Sequence, residues 1–434
     1  MERIEFYFHS FYALILFGIF STFSHAQDSP SKALDASNAD SKSNNSLIPI
    51  ELVSKETSQK VDSIITNGIK NHAFPGAQVL VAKKGAVIFH KAFGFYTYDS
   101  IQPVALNAIY DLASVTKITG PLLALMKLYD EGKLNLDAPL SNYWKPWGKV
   151  KNKKNLTLRE ILSHQAGLKP YIVFLNKVQE KGRLKRKYIR SEPSPRFKSR
   201  AYENLYVKNR FVKKIYREIN RSEVSENKTY LYSGLSFLIF PELISQLSGV
   251  SYEYYLQKHF YLPMGAAALG FNPKTKGYPN VIVPTEVDTL FRKDLVKGWV
   301  HDENAALMGG ISGNAGLFGT ARDLHKIMQM LENYGIYEGH RYLSEATVKE
   351  FTKVQFPGND NRRGLGFDKP LLNNMTLPIT SAYPAVAASE ESFGHSGFTG
   401  TFIWADPINQ LVFIFLSNRV YPTRNNRNLY ELNI

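Results

Sequence analysis

Ser114 and Lys117 stand three residues apart in the stretch DLASVTKITG, Asp111 to Gly120. A hydroxyl and an amine at i and i+3 of a helix share one face. A partly desolvated lysine can take the hydroxyl proton and turn the serine into a nucleophile. The strand-like AIYDLA precedes the pair, and Leu122, Leu123, Leu125, Met126 and Leu128 form an apolar helical face after it. This pattern predicts a helix starting at Ser114, whose N-terminal field favours an alkoxide or an oxyanion. Ser-x-x-Lys also recurs by chance, and a capping serine beside a surface lysine has the same spacing. Gly120-Pro121 falls inside the predicted helix. Pro121 has no N–H for the carbonyl of Lys117, so a bend is expected there.

Two later stretches bear on the choice. YLYSGLSFLIF puts Tyr232-Ser233-Gly234 at the start of a helix, and FGHSGFTGTFIW puts His395-Ser396-Gly397 at the start of a strand. Each has a plain reading, as a core tyrosine among 25 or an ordinary strand entry. Their order is what counts. Ser-x-x-Lys, then Tyr-x-Asn, then Lys-Thr-Gly on a strand marks the serine β-lactamases and penicillin-binding proteins. The chain resembles that family from about Val53 to its C-terminus. Within it, the tyrosine form resembles the class C β-lactamases, the D,D-peptidases and their esterase relatives. FPGAQVLVAKKGAVIFHKAFG, EGKLNLDAPLSNYW, LTLREILSHQAGL and GNAGLFGTARDLHKIM share the likeness.

The resemblance implies roles. Ser114 would attack a carbonyl and become acylated, with Lys117 accepting or relaying its proton. Tyr232 would act as base for attack or acid to the leaving group. The backbone N–H groups of Ser114 and Phe398 would form the oxyanion hole. His395, Ser396, Gly397 and Gly234 would face substrate, Gly397 keeping the strand open to it. Two departures narrow the substrate. Gly234 stands where the motif has Asn, removing an amide able to bond a substrate carbonyl and the lysine. His395 stands where it has Lys, and a histidine is mostly uncharged at neutral pH. Both changes weaken recognition of a carboxylate-bearing β-lactam. A serine hydrolase acting on an ester or amide is expected, with a cell-envelope acyl ester or a D-amino-acid peptide as substrate. The alternative is a non-catalytic protein that retains the pocket to hold peptidoglycan fragments.

The elements that must position these groups follow from the apolar periodicity. A helix is expected between Glu51 and His72, then a hairpin around Lys84-Gly85, and a second hairpin near the C-terminus with Asp406-Pro407 opening its turn. The middle is mostly helical in pattern, and Thr320 is placed to cap the helix of ARDLHKIMQMLENYG. Strands at both ends with helices between imply an α+β fold. One antiparallel sheet is built from both chain ends, flanked by helices, with a mostly helical subdomain in the middle, as in the β-lactamase/transpeptidase architecture. NRNLYELNI stops soon after the last strand-like run, where relatives close with a helix packed on the sheet. A truncated chain would leave the sheet's back face exposed. In VHDENAALMGG, His301 and Asp302 either line the cleft or stabilise a loop.

With 434 residues, 44% hydrophobic and 21% charged, the chain has ample material for a core. Zero cysteines exclude disulfides, thiolate metal sites, cysteine nucleophiles and a lipidated N-terminal cysteine. The ten histidines lack metal-binding spacing, and no cofactor is implied. Residues 1–26 read as a signal peptide, with an apolar middle from Tyr12 to Phe23 and cleavage after Ala26. This predicts export to the periplasm or beyond, the alternative being an uncleaved N-terminal anchor. Residues 27–48 read as a flexible linker, and one domain spans 49–434. The formal net charge of +15 is concentrated: residues 171–221 hold sixteen Lys and Arg against four Glu. Such an insertion suits anionic envelope polymers or lipid headgroups, or is simply solvated. A nucleic-acid partner is not expected, and a monomer is.

Overall fold

The computed structural model describes residues 49–277 and 282–434; the expected signal peptide and linker lie outside the described residues. Strand β1 (Ile50–Glu51) leads into helix α1 (Lys55–Lys70), where Ser54 Oγ accepts the N–H of Thr57 at 3.1 Å and caps the helix. Strands β2 (Gly76–Lys83) and β3 (Ala86–Gly94) form the first hairpin. Lys84 and Gly85, with φ of 51° and 79°, make the turn whose twist matches that of paired strands. The short strand β4 (Tyr110–Asp111) precedes helix α2 (Val115–Thr119) and helix α3 (Pro121–Asp130).

The single bent helix expected after Ser114 is thus two helices. Gly120 separates them at φ −118° and ψ −103°, and Pro121 opens α3, where a missing N–H costs nothing. A Cβ at 120 would stand 2.6 Å from the Tyr252 hydroxyl and 2.7 Å from the Thr116 carbonyl, so the break is packed as well as bent.

Helix α4 (Leu235–Ser248), strand β5 (Leu317–Gly319) and helix α5 (Ala321–Glu332) follow. Thr320 Oγ1 caps α5 by accepting the N–H of Asp323 at 3.1 Å. Strands β6 (Phe393–Gly397), β7 (Thr401–Asp406) and β8 (Leu411–Ser417) complete the main sheet. Its order is β1-β3-β2-β8-β7-β6, with every neighbour antiparallel, so the two chain ends close one sheet. Alternation along the strands gives it two apolar faces. Leu80, Ile403, Ile414 and Leu416 belong to the same core cluster as Leu324, Ile327 and Met328 of α5. Val79, Val81, Phe402, Trp404, Phe413 and Phe415 cluster with Val61 and Ile65 of α1. Leu429, on a short helix Asn428–Glu431, and Ile434 join that back cluster and are buried, so the back face is covered.

The basic segment folds into the body of the protein. Two-residue strands at Gln179–Glu180 and Arg183–Leu184 pair, and Ile189–Arg190, Ser199–Tyr202 and Leu205–Val207 form a small sheet. Phe211, Ile215 and Ile219 make the buried stripe of the helix Phe211–Arg221. These small sheets depart from the helical pattern expected of the middle, because strands of two to four residues are too short for a periodicity to register. The segment docks on residues 295–308. Tyr202 Oη donates to the Leu295 carbonyl at 2.9 Å, Trp299 Nε1 to Glu203 Oε1 at 3.1 Å, and the Phe174 N–H to Asn304 Oδ1 at 3.2 Å.

Burial holds several imidazoles neutral. His90 is pushed down to about 3 by burial, helped by the charge of Arg322, and His325 to about 4, again chiefly by burial. The unfolded chain protonates these rings near their ordinary value of 6.5, while the folded chain does not. Stability is therefore lost as pH falls below 6.5, by about 2 kcal/mol per ring at pH 5. Thermal unfolding between pH 7.5 and 4.5 should show a falling Tm whose slope lessens in His90→Leu. An unchanged slope in that variant would refute the assignment for His90.

Candidate active site

Ser114 is presented by a strained turn tied to three elements. The buried carboxylate of Asp111 accepts the N–H of Ala113 at 2.9 Å through Oδ1 and the N–H of His301 at 2.6 Å through Oδ2. The Asp111 carbonyl accepts from Thr399 Oγ1 at 2.7 Å. Burial pushes this carboxyl up, and the two amide donors oppose the shift. Ala113 is held at φ 48°, a left-handed conformation that costs a non-glycine residue roughly 1–2 kcal/mol. The chain thereby turns sharply from β4 into α2, and Ser114 sits half-buried at the start of that helix without a side-chain capping bond. With five residues, α2 is barely one turn and a half, but it keeps Ser114 and Lys117 on one face.

Lys117 is buried, and its Nζ donates to Ser114 Oγ at 3.0 Å and to the Asn314 carbonyl at 2.9 Å. It also lies 5.4 Å from the ring centroid of Tyr232 and 5.6 Å from that of Phe237. The three polar groups singled out by type and spacing are therefore together. Tyr232 reaches this place because its segment is clamped to residues 164–170. The Leu231 N–H donates to the His164 carbonyl at 2.9 Å, the Ser233 N–H to His164 Nδ1 at 3.2 Å, and Ser233 Oγ to the Lys169 carbonyl at 2.6 Å. Burial drives His164 well below its ordinary pKa; as a neutral ring accepting at Nδ1 it lies tilted against the Tyr232 ring, with centroids 4.5 Å apart. Gly234 precedes α4 at φ −89°, and a Cβ there would meet only Asn314 Cβ, at 3.9 Å. No steric demand requires glycine at 234.

Strand β6 forms the opposite wall. His395 is buried with Nδ1 2.6 Å from the Ser396 carbonyl, so Nδ1 carries the proton and Nε2 is left as an acceptor. Burial first, then the charges of Arg363 and Lys117, push its pKa down to about 3. The ring is neutral and lies 6.0 Å from Tyr232. Gly397 is demanded by packing. A Cβ there would clash with Thr401 Oγ1 and stand 2.5 Å from the Leu112 carbonyl, so only glycine lets β6 run against the Ser114 segment. Ser396 is buried, while Phe398 is exposed, its ring stacked 5.7 Å from His301 and 4.6 Å from the Arg419 guanidinium.

His301 and Asp302 support the walls. His301 Nε2 pairs with Glu286 at 2.8 Å, and Arg424 holds the same carboxylate. Asp302 caps the short helix Glu303–Leu307 and accepts from Asn314 Nδ2 at 3.1 Å. Asn314, His164 and Arg363 are members of the site that residue-by-residue reading passed over. The first two lie inside stretches that carried the family likeness; Arg363, in GNDNRRGLGF, had no such signal. A surface cavity of about 440 Å³ lined by Val87, Asn107, Arg322 and His325 contains none of these residues and sits at the β3 side of the sheet, remote from β6.

Removing the Asp111 carboxylate should strand two buried N–H groups at about 1–3 kcal/mol each. Asp111→Ala is expected to lower stability by several kcal/mol and to abolish reaction at Ser114, measured by denaturant unfolding and by ester turnover. Wild-type values in both would show that the turn does not depend on this carboxylate.

Residues 61–433 match the family described as Beta-lactamase. A protein of Salmonella heidelberg (strain SL476) described as "Putative D-alanyl-D-alanine carboxypeptidase" is 30% identical over 384 residues, covering 83% of this chain and 82% of its own. A protein of Escherichia coli O157:H7 with the same description is 29% identical over 389 residues, covering 82% of each chain. Among solved structures, the octameric penicillin-binding protein homologue of Pyrococcus abyssi aligns with a TM-score of 0.59 at 20% identity, over 86% of this chain and 76% of its own. A class C β-lactamase of Rhodobacter sphaeroides aligns with a TM-score of 0.57 at 15% identity, over 86% and 97%. These structures share the α+β fold seen here, with its antiparallel sheet and flanking helices. Over most of its length, the chain belongs to the Beta-lactamase family of serine hydrolases.

Proposed function

We propose that this protein is an exported acyl hydrolase that works through an acyl-enzyme on Ser114. The observation that carries the reading is the Lys117 Nζ contact of 3.0 Å to Ser114 Oγ, made 5.4 Å from the centroid of the Tyr232 ring. Ser114 Oγ attacks the substrate carbonyl carbon, and its proton passes to Lys117 or through it to Tyr232. The oxyanion that forms is held by the backbone N–H groups of Ser114 and Phe398. Collapse expels an alcohol or amine, which takes the proton from Tyr232. Water then attacks the ester on Ser114 by the same path in reverse, releasing the acid and restoring the hydroxyl.

The substrate we favour is a D-amino-acid peptide or an acyl ester of the cell envelope. The curated relatives at about 30% identity, described as carboxypeptidases for D-alanyl-D-alanine, support the first. A β-lactam is disfavoured, because neutral His395 and the missing amide at Gly234 leave its carboxylate and amide poorly held. The leader over residues 1–26 would place the enzyme outside the cytoplasm. The basic segment 171–221 would meet anionic envelope polymers or lipid headgroups there, beside the wall it shares with residues 295–308.

Hydrolysis of a small activated ester and release of D-alanine from a D-alanyl-D-alanine peptide should both be measured. Wild type should turn over the ester, and Ser114→Ala and Lys117→Met should each lose on the order of 10²–10⁴-fold. No turnover by wild type, or full activity in Ser114→Ala, would overturn the reading in favour of a non-catalytic pocket. The room at position 234 gives a second test. Gly234→Asn should fold normally and raise the rate of acylation by penicillin while leaving ester turnover within a few fold. An unchanged penicillin rate would show that the missing amide does not set the substrate.

A further inference from the structure

We propose that Arg363 is a positioning residue for Tyr232, supplying against its ring the fixed positive charge that strand β6 lacks. The proposal rests on the roles given above to Ser114, Lys117 and Tyr232. Arg363 is 7% exposed, and its Cζ lies 5.4 Å from the Tyr232 ring centroid and 5.5 Å from that of Tyr230. Lys117 Nζ is also 5.4 Å from the Tyr232 centroid, so two cations lie close to one phenol ring. The other titratable groups facing it are uncharged. His164 and His395 are both held neutral by burial, and Tyr230 is pushed up by burial.

The charge on Arg363 is incompletely answered. Its Nε stands 3.5 Å from Asp368 Oδ1, and among the described residues neither Nε nor Nη1 has a hydrogen-bond partner. Asp368 is heavily shared. It accepts from Arg362 Nε at 3.2 Å, Tyr383 Oη at 2.9 Å and the Lys369 N–H at 3.0 Å, and Arg362 Nη2 lies 3.1 Å away. One carboxylate thus faces two guanidinium groups, Arg362 partly exposed and Arg363 buried against the Tyr232 ring. A merely structural arginine at such a place would be poorly placed, since a buried charge without a full partner is costly. Beside a phenol that holds and releases a proton, the same charge favours the oxygen whenever it is negative. Arginine suits the task because it stays protonated at every working pH and stacks on aromatic faces. His395, held neutral at the position that carries Lys in the Lys-Thr-Gly motif, explains why the charge must come from elsewhere.

The test is ester kinetics from pH 5 to 10 on the full chain, comparing wild type with Arg363→Met, Arg363→Gln and Arg363→Lys. Both neutral variants should lose on the order of 10- to 100-fold in kcat/KM at pH 7. The loss should fall in kcat with little change in KM, and the acidic limb of the profile should move to higher pH. Arg363→Lys should recover most of the rate and return the limb towards the wild-type position. In a Tyr232→Phe background the Arg363→Gln change should cost almost nothing further. A loss that lysine does not rescue, with the limb unmoved, would overturn the proposal and leave Arg363 a packing residue. Full activity in the neutral variants would overturn it too. If Arg363→Met fails to fold, Arg363→Gln, which keeps donors and loses only charge, decides the matter. An inactive wild type would instead defeat the hydrolase reading itself.

Discussion

Asp111 is the constraint on which the site depends. Its carboxylate is buried and is satisfied by two backbone amides, one from Ala113 two residues on and one from distant His301. The first bond bends the backbone into the left-handed conformation of Ala113 and lifts Ser114 to the start of α2. The second fixes residues 300–302, from which Asp302 reaches Asn314, whose carbonyl in turn holds Lys117. The Thr399 hydroxyl, bound to the Asp111 carbonyl, ties the end of β6 to the same point. Ser114, Lys117 and strand β6 are therefore set by one buried polar hub, and Gly397 is the side chain omitted so that the strand fits against it.

Around that hub the charge is arranged unusually for a site that would read a carboxylate-bearing ring. Both histidines in contact with Tyr232 are neutral, and both cations near it lie against its ring. On the proposed roles, positive charge is directed at the phenol that would handle the proton, which suits chemistry on a carbonyl without commitment to one substrate anion. This agrees with a family whose members span carboxypeptidases, esterases and β-lactamases.

Much of this was legible in the sequence, for identifiable reasons. Ser114, Lys117, Tyr232 and His395 stand out because each is a reactive residue type in an ordered set of motifs, and the structure brings all four together. The sheet from both chain ends followed from two strong hairpin patterns with defined turns. What was not legible depends on backbone groups or distant partners. The role of Asn314 rests on its carbonyl, which every residue has, and Asp111 meets an amide 190 positions away. Arg363 lay in an unremarked stretch because its neighbours, Tyr230, Tyr232 and Asp368, meet it only in three dimensions. At Gly120-Pro121 the missing N–H pointed to a bend but not to the full break into two helices, and the two-residue strands of the basic segment are too short for apolar spacing to register.

The central claim is that Ser114 is the nucleophile, and the most direct measurement is the intact mass of the protein after exposure to a fluorophosphonate, with peptide mapping of the adduct. The account predicts one phosphonyl group per chain, located on Ser114, with no adduct in Ser114→Ala. A protein that stays unmodified, or one labelled at any other residue, would contradict it.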